Sequence, residues 1–476
     1  MTGIETYAQS ARDYSRLSVG IGTKVFAVVC CALALSMAAW AILAPKSSPG
    51  KPAPPPAVGY GYWHGSGPVI EDSFNRPVRI AGVTWYGAET TSWVPGGLDF
   101  QPYTKIENLV KRLGYNTIRL TFSDELVQRD PVVRRWVRAN PQFRGMRALR
   151  VMDAIIAYAG KIGLKIILDN QRSAAAGPKK VSDLDEPLWY TKGYPRSAWI
   201  DDWKELAWRY LGNSTVIGFD LRNEPHTLFT GPSHAWNVDD YLFHGATWGP
   251  YHGVDNPATD WRLAAEKAGN AVLKINNSLL IFVEGLQLYP ANSGCCLSPR
   301  ANQRGYRFGN IVDSYWWGGI LKQVRRYPVI LKEPTQLVYS PHEYGPHKVV
   351  GPIPGSSYAY FSNMTYRTLS GIFNQQWGFI TGATGKKAIA PVFLGETGTC
   401  TNLPRCLRLR RPGNQATWFH LMIRYLKLHP NIGWSLWTLN GTNALDSPNF
   451  DGLLNRHWNG LQSRYLERVL RRIQTG

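Results

Sequence analysis

The sequence predicts an α/β fold, a (β/α)8 or TIM barrel preceded by an N-terminal transmembrane or signal-anchor helix and a Pro-rich linker. Three observations support the barrel. Short apolar runs typical of buried strands alternate along the chain with segments of helical periodicity. Two of these runs close in a glutamate, and barrel enzymes keep their catalytic groups at strand ends. A length of 476 residues suits one such barrel with insertions.

Eight strands and the helices between them can be placed in order. The predicted strands are residues 78–85, 116–120, 165–169, 216–221, 279–283, 337–340, 391–394 and 433–436. The predicted helices are residues 106–113, 151–162, 199–211, 261–275, 366–381, 415–427 and 461–473. In the first helix, Ile106, Leu109, Val110 and Leu113 follow the i, i+3, i+4, i+7 spacing of one apolar face. Long loops at 227–259 and 286–319 interrupt the alternation, and loops of this length are usually functional.

The amino end carries an apolar run without charge at residues 25–44. Twenty residues at the helical rise span a bilayer core, whereas the apolar region of a cleaved signal is only about 7–15 residues long. We therefore expect an uncleaved anchor, with a cleaved signal as the alternative. The predicted organisation is a leader at 1–24, the anchor at 25–44, a Pro/Gly-rich linker at 45–67 and a catalytic domain at 68–476. In either case the large domain lies outside the cytoplasm.

Two strand-end motifs predict the chemistry. Residues 216–226 read V-I-G-F-D-L-R-N-E-P-H, and residues 390–399 read A-P-V-F-L-G-E-T-G-T. Pro225 ends the first strand, because proline cannot donate to a sheet, so Glu224 stands where a buried strand opens into a loop. Glu396 has a similar setting. Two such glutamates indicate an acid/base pair for glycoside hydrolysis.

These motifs resemble those of glycoside hydrolase family 5, the largely cellulase-type enzymes. N-E-P at 223–225 and L-G-E-T-G at 394–398 are similar to its two signatures, and S-P-H-E-Y-G at 340–345 resembles a third. The resemblance extends from about Ile80 to Trp458, with the motifs in the family's order. It implies that Glu224 is the general acid/base and Glu396 the nucleophile of a retaining mechanism. The two carboxyl groups should then lie about 5–5.5 Å apart.

The same resemblance assigns four further residues to the substrate-binding site. Arg119 is expected to pair with the nucleophile and keep it ionised. Asn223 is expected to bond the sugar 2-OH. His342 should bind near the cleavage point, and Tyr344 should donate a hydrogen bond to the nucleophile.

Aromatic residues near the last strand are candidates for a sugar platform. Trp437 is the predicted platform on the non-reducing side, with Trp434 as the alternative. His226 and Trp85 fit either binding or packing. The 19 Trp and 24 Tyr suit a carbohydrate cleft, although we expect most of these rings in the core.

One stretch departs from the family pattern. Family members often carry a histidine shortly after the aspartate of the third strand, but residues 168–172 read L-D-N-Q-R. Asn170 and Gln171 can hydrogen-bond a sugar hydroxyl there, but not as a cation. This difference leaves the identity of the glycan open.

The six cysteines form three close pairs at 30–31, 295–296 and 400–406. Export permits disulfides. A Cys400–Cys406 bridge would hold the loop behind Glu396, and a cross-link from the 295–296 pair to that loop is the alternative, because four cysteines allow three pairings. The spacing matches no usual zinc site, and the sequence implies no metal and no cofactor.

The net charge of +20 raises the question of an anionic partner. No helix-turn-helix, zinc finger or aromatic–basic repeat accompanies the charge, so we expect no nucleic acid as partner. Arginine clusters near residues 134–138, 405–411 and 468–472 are interpreted as solvated surface, with attraction to polyanionic cell-surface material as the lesser alternative.

The predicted protein is thus a monomeric, membrane-anchored or secreted hydrolase of a β-1,4-glucan such as cellulose. A β-mannanase or another β-glucanase of the same family is an alternative with the same chemistry. A barrel that binds carbohydrate without cleaving it is an alternative of a different class. An envelope- or nucleic-acid-binding protein is the least favoured hypothesis.

Overall fold

The computed structural model describes residues 59–177, 186–226, 245–250, 255–290, 312–346, 364–401, 404–408, 410, 414–443 and 447–474. The predicted leader, the apolar run at 25–44, linker residues 45–58 and the cysteines at 30, 31, 295 and 296 lie outside these ranges. A search of the described residues finds no helix with the length and apolar character needed to cross a membrane.

Fourteen strands and nine α-helices are numbered here in chain order over the described residues. The strands are β1 (His64–Ser66), β2 (Val69–Glu71), β3 (Pro77–Val78), β4 (Ala81–Trp85), β5 (Thr117–Ser123), β6 (Lys165–Arg172), β7 (Val216–Asp220), β8 (Leu280–Val283), β9 (Leu288–Pro290), β10 (Val312–Ser314), β11 (Leu337–Tyr339), β12 (His342–Glu343), β13 (Phe393–Gly398) and β14 (Gly433–Trp437). The helices are α1 (Tyr103–Arg112), α2 (Asp124–Arg129), α3 (Ala148–Lys161), α4 (Arg196–Arg209), α5 (Trp261–Leu273), α6 (Tyr366–Gln376), α7 (Pro404–Arg408), α8 (Gln415–Leu428) and α9 (Arg464–Leu470).

The main sheet is a curled, parallel, (β/α)8 barrel-like sheet, which confirms the predicted barrel. Its nine strands follow the order β11-β8-β7-β6-β5-β4-β14-β13-β12. The predicted sixth strand at 337–340 is present as β11, and a second short piece that was not predicted, β12, follows Pro341, which cannot donate to the ladder. The first piece, β11, pairs with β8, and the second piece, β12, pairs with β13. β11 and β12 are the two edge strands of the sheet, and they are consecutive in the chain, so residues 337–343 connect the two edges and close the barrel.

The predicted first strand and the predicted linker both need correction at the amino end. Residues 77–78 belong to a separate antiparallel sheet, β1-β2-β3, so the first barrel strand begins at Ala81. Residues 59–67 are part of the folded domain and not linker, since β1 pairs with β2 and Trp63 is fully buried. The physical reason is apolar burial: Trp63, Ile70 and Val78 pack against the side chains that fill the barrel.

The barrel interior changes from apolar to acidic along the strands. The interior apolar cluster includes Ile167, Ile217, Leu280, Phe282, Val338 and Phe393. Because side chains alternate across a strand, the residues two positions after Ile167 and Phe282 face the same side. These residues are Asp169 and Glu284, which are both fully buried. The carboxyl ends of the strands therefore collect carboxylates above an apolar floor.

The helices pack on the outside of the barrel and several have side-chain caps. The capping oxygens that accept a backbone N–H belong to Ser123, Asp260, Thr365, Asn414 and Ser463. Each cap satisfies a backbone donor that the first helical turn leaves without a partner. The predicted helix at 366–381 ends earlier, at Gln376, and a 3₁₀ turn at Gly378–Thr381 follows it.

Cys400 and Cys406 form a disulfide, with Cα atoms 6.3 Å apart, within the usual range for such bonds. This is the first of the two predicted pairings. Cys400 follows β13 by two residues and is buried. The bridge therefore closes the loop immediately after the strand that carries Glu396.

Glu107 on α1 is a buried acidic residue that should make the free energy of unfolding depend on pH. Its side chain is fully buried, and neither carboxyl oxygen has a hydrogen-bond partner among the described residues. Burial raises the pKa of Glu107 from 4.5 to about 9. Between these two values the unfolded chain has released the proton while the folded chain still holds it, so stability decreases as the pH rises.

We therefore expect Glu107→Gln to stabilise the fold at pH 8 by on the order of 1–3 kcal/mol, and to have little effect near pH 4.5. Urea unfolding midpoints at the two pH values measure the difference. Glu205→Gln, on the exposed side of α4, is the matched control and should change neither midpoint. The same shift at both pH values would contradict a buried neutral carboxyl.

Candidate active site

Glu224 lies four residues after the end of β7, at the carboxyl end of the barrel. Its φ of 46° is in the left-handed region, which is uncommon for residues other than glycine and is often found at active sites. Its backbone N–H donates to Glu284 at 2.7 Å, which holds this conformation. Its carboxylate oxygen Oε1 lies 2.8 Å from Nδ1 of His342.

Glu396 lies within β13, not after the end of the strand as the apolar run at 391–394 predicted. The strand continues to Gly398 because β14 pairs with it beyond a register shift between Leu394 and Thr397. Both carboxylate oxygens of Glu396 are held. Oε1 accepts from Nη1 of Arg119 at 2.9 Å, and Oε2 accepts from the Tyr344 hydroxyl at 2.7 Å.

The two glutamates lie side by side. One carboxylate oxygen of Glu224, one of Glu396 and one ring nitrogen of His342 are all within 4.8 Å of one another. Retaining glycosidases hold their two carboxyl groups about 5–5.5 Å apart, while inverting enzymes leave about 6.5–9.5 Å for a water molecule. The nearest oxygens of the two glutamates are thus closer than the separation of the carboxyl groups in inverting enzymes.

Arg119 is the central cation of the site. It was predicted to pair with Glu396, and that contact is present, but its guanidinium also reaches Asp169 at 2.9 Å, Asp220 at 3.0 Å and Glu284 at 3.1 Å. Burial lowers the pKa of Arg119, but these carboxylates together raise it well above its ordinary value. The guanidinium therefore stays charged and offsets part of the negative charge at the acidic end of the barrel.

His342 lies between Glu224 and Glu284 and contacts both carboxylates. Its Nδ1 contacts Glu224, and its Nε2 lies 3.1 Å from Oε1 of Glu284. Burial lowers the pKa of the His342 ring, but the carboxylates of Glu284 and Glu396 raise it well above its ordinary value. Burial raises the pKa of Glu284 to about 8. The raised pKa of His342 favours a protonated ring that donates to Glu224.

Tyr344 and Asn223 complete the polar contacts. Burial raises the pKa of Tyr344 well above its ordinary value, so its hydroxyl keeps its proton and donates to Glu396. The side-chain oxygen of Asn223 accepts from Nη2 of Arg119 at 3.2 Å. The NH2 group of Asn223 is therefore the end that can donate to a ligand.

The structure distinguishes the two candidate platforms. Trp437 ends β14 and is partly exposed, and its ring stacks on Tyr86 with centroids 5.3 Å apart and planes at 14°. Trp434 is fully buried, and its ring N–H donates to the backbone of Ile473. Trp434 therefore packs on the outside of the barrel, and Trp437 is the one of these two rings that solvent reaches.

The two weaker aromatic candidates have different environments. Trp85 is fully buried and donates to the backbone of Gly96, so it is a packing residue. His226 stacks on Trp317 with ring centroids 3.9 Å apart. Both of these rings line a small cavity that Glu224 also lines, so this pair borders the candidate site.

Asn170 does not have a free amide group for hydrogen-bonding a sugar hydroxyl, the role considered for it from the sequence. Asn170 is fully buried, its NH2 group donates to Asp124, and its oxygen accepts from Arg222. It is a structural residue, because both ends of its amide are already bound. Gln171 lines the small cavity beside Glu224.

Sequence reasoning missed Glu284, which contacts Arg119, His342 and the backbone of Glu224. A signal was present, because Glu284 directly follows the apolar strand L-I-F-V of β8. This is the strand-end pattern that identified the other two glutamates. Asp169 and Asp220 were also not predicted as site residues, although both contact Arg119 inside the barrel.

A parallel barrel with two close carboxylates at the carboxyl ends of its strands is an arrangement that glycoside hydrolases use. The sequence profile of the family described as "Cellulase (glycosyl hydrolase family 5)" matches residues 73–443. The chain belongs to glycosyl hydrolase family 5, and it is a glycosidase of the cellulase or endoglucanase type.

Known relatives agree with this placement. An endoglucanase of Paenibacillus polymyxa is 35% identical over 403 residues, which cover 84% of this chain and 83% of the relative. An endocellulase structure from Pyrococcus horikoshii covers 88% of this chain and 100% of its own, at 30% identity and a TM-score of 0.66. The catalytic domain of the major endoglucanase from Xanthomonas campestris covers 87% and 100%, at 26% identity and a TM-score of 0.65.

Proposed function

We propose that this chain is a retaining endo-β-1,4-glucanase in which Glu224 is the general acid/base and Glu396 the nucleophile. The observation that carries the proposal is the placement of two carboxylate oxygens within 4.8 Å of each other at the carboxyl end of the barrel. Similarity supports the glucan substrate, since the Pyrococcus horikoshii endocellulase has been solved in complex with cellotetraose.

The proposed reaction has two steps, formation of a glycosyl-enzyme on Glu396 and its hydrolysis. In the first, Glu396 attacks the anomeric carbon while Glu224 gives its proton to the glycosidic oxygen, so the shortened chain leaves as an alcohol. In the second, the Glu224 carboxylate takes a proton from water as the water attacks the glycosyl–Glu396 ester. Glu396 leaves as a carboxylate, Glu224 is again protonated, and the anomeric configuration is retained.

The neighbouring residues prepare each glutamate for its role. Arg119 and Tyr344 each bind one oxygen of Glu396, which fixes the orientation of its carboxylate. His342 contacts the carboxylate of Glu224 through Nδ1 and so positions Glu224 beside Glu396. Asn223 is proposed to donate to the sugar 2-OH, in a contact that strengthens in the transition state.

Trp437 is proposed as the sugar platform on the non-reducing side. Its ring is partly exposed and is supported from behind by Tyr86. The apolar C–H face of a pyranose packs well on such a ring. Tyr86 limits the freedom of Trp437, so the platform is already in place before the substrate binds.

Release of reducing sugar from neutral β-glucans, xyloglucan and β-mannan tests the proposal. The wild type should be most active on β-1,4-glucan, and its first product should retain the anomeric configuration by NMR. Glu224→Gln and Glu396→Gln should each lose about 10³-fold or more in kcat, whereas the exposed control Glu333→Gln should not change. Equal release by all four proteins, or an inverted product, would end the proposal, and release from mannan alone would establish the mannanase alternative.

We also propose that the uncharged run at residues 25–44 places the enzyme outside the cytoplasm, either anchored in the membrane or released. Fractionation of expressing cells followed by N-terminal sequencing of the mature chain measures this. Full-length protein recovered only in the cytosolic fraction would contradict it.

A further inference from the structure

A groove rich in arginine lies next to the proposed cleft. Tyr86, the ring beneath Trp437, lines a small cavity of about 50 Å³ together with Asp99 and Trp136. The same Asp99 and Trp136 line a second, open cavity of about 560 Å³, a volume typical of ligand sites. Trp136 therefore stands between the platform side of the cleft and a larger adjoining space.

The second cavity has a strong positive charge. Its lining includes four exposed arginines, Arg134, Arg135, Arg138 and Arg144, and the single carboxylate of Asp99. Asp99 is already engaged, since it accepts from the backbone of Arg138 at 2.7 Å and lies 3.6 Å from its guanidinium. None of the other three arginines forms an ion pair with any residue that the structure describes.

Trp136 gives this charged groove an aromatic surface. Its side chain is 42% exposed, which is unusual for so large an apolar ring. Its φ of 65° lies in the left-handed region, and residues held there cluster at ligand sites. An exposed indole flanked by arginines provides a stacking face for a sugar ring and donors for an anion on that ring.

We infer that this groove binds β-glucan chains that carry carboxylate substituents, with a sugar ring on Trp136 and the carboxylates at Arg134, Arg135 and Arg144. The inference rests on the proposed function, because it requires a glucan chain in the cleft. It adds a substrate class, since an anionic glucan should bind better than a neutral glucan of the same length. Guanidinium groups bind carboxylates through paired, charge-assisted hydrogen bonds.

The test compares carboxymethylcellulose with neutral hydroxyethylcellulose at low and high salt, for the wild type and the triple variant Arg134→Gln/Arg135→Gln/Arg144→Gln. At low salt the triple variant should raise KM for the anionic polymer about 5- to 10-fold, as expected for three exposed charge pairs. KM for the neutral polymer should stay within about twofold, because it has no charge to pair. The wild type's advantage on the anionic polymer should disappear at high salt, which screens exposed charges.

A second triple variant controls for net charge. Arg464→Gln/Arg468→Gln/Arg472→Gln removes the same charge from exposed positions that line neither cavity. It should behave as the wild type on both polymers. Equal changes in both triple variants, or no change in the first, would overturn the inference.

Binding is also measured without catalysis, by retardation in gels that contain carboxymethylcellulose. The first triple variant should lose retardation, and the control should keep it. If the wild type cleaves neither polymer, the proposed function fails. The difference in retardation between the wild type and the first triple variant still tests whether the arginine groove binds the anionic polymer. If the wild type cleaves both polymers but all three proteins are retarded equally, only the inference fails.

Discussion

Replacing Glu396 with glycine should abolish glucan hydrolysis, with a loss of about 10⁴-fold or more in kcat, and added azide should restore turnover of an aryl cellobioside. The truncation leaves a space where the carboxylate stood, beside Arg119 and Tyr344. Azide can enter this space and attack the anomeric carbon in place of the carboxylate. A β-linked substrate then yields an α-glycosyl azide, because a single displacement inverts the configuration.

Glu224→Gly is the matched variant, and it should give the opposite anomer. Its nucleophile is intact, so an aryl leaving group can depart without an acid and the glycosyl-enzyme forms. Azide then attacks this intermediate from the side that Glu224 faced and yields a β-glycosyl azide. NMR of the two products assigns the roles directly. No azide adduct from Glu396→Gly, or the two anomers exchanged, would contradict the assignment.

Replacing Arg119 with methionine should have the largest effect on stability, about 3–5 kcal/mol or more, together with loss of activity. The substitution removes the cation that Asp169, Asp220, Glu284 and Glu396 share. Among the described residues, these buried carboxyl groups would then have only the His342 ring as a nearby cation. The chain would fold only if some of them held protons that the unfolded chain releases.

The sign of the pH dependence follows from that protonation. Burial already raises the pKa of Asp169 well above its ordinary value, and loss of Arg119 should raise it further. Because the folded pKa then exceeds the unfolded pKa, the variant should be least damaged near pH 4 and should lose stability as the pH increases. Unfolding midpoints, or soluble yield where the variant does not fold, measured from pH 4 to 8 check this.

Arg222→Met is the control for removing a buried arginine. Arg222 is as deeply buried as Arg119, but its carboxylate partner is Glu186, and Arg172 lies 3.9 Å from the same carboxylate. We expect a smaller loss of stability and a weaker dependence on pH. An Arg119→Met protein as stable as the wild type at pH 8 would show that the carboxylates do not need the guanidinium.

Local pattern was sufficient to predict the barrel and the two glutamates. Apolar runs of strand length marked the β-strands, because parallel strands are buried on both faces, and Pro225 marked the end of one of them. The short piece β12 was not foreseen, because two paired residues after Pro341 carry no periodicity. The strand β13 was predicted too short, because it continues through Gly395 and Glu396, which are not apolar.

The amino acid sequence by itself determined which residues stand at the strand ends, since a period of two and a proline are local properties of the chain. That pattern indicated Glu224 and Glu396 as the candidate pair, and the family resemblance added Arg119. Only the tertiary structure decided that Arg119 serves four carboxylates, that Glu284 supports Glu224, and that Trp437 faces outward while Trp434 is buried. These outcomes depend on how the sheet curls, because curvature and register bring together side chains that are from 50 to 277 residues apart in sequence.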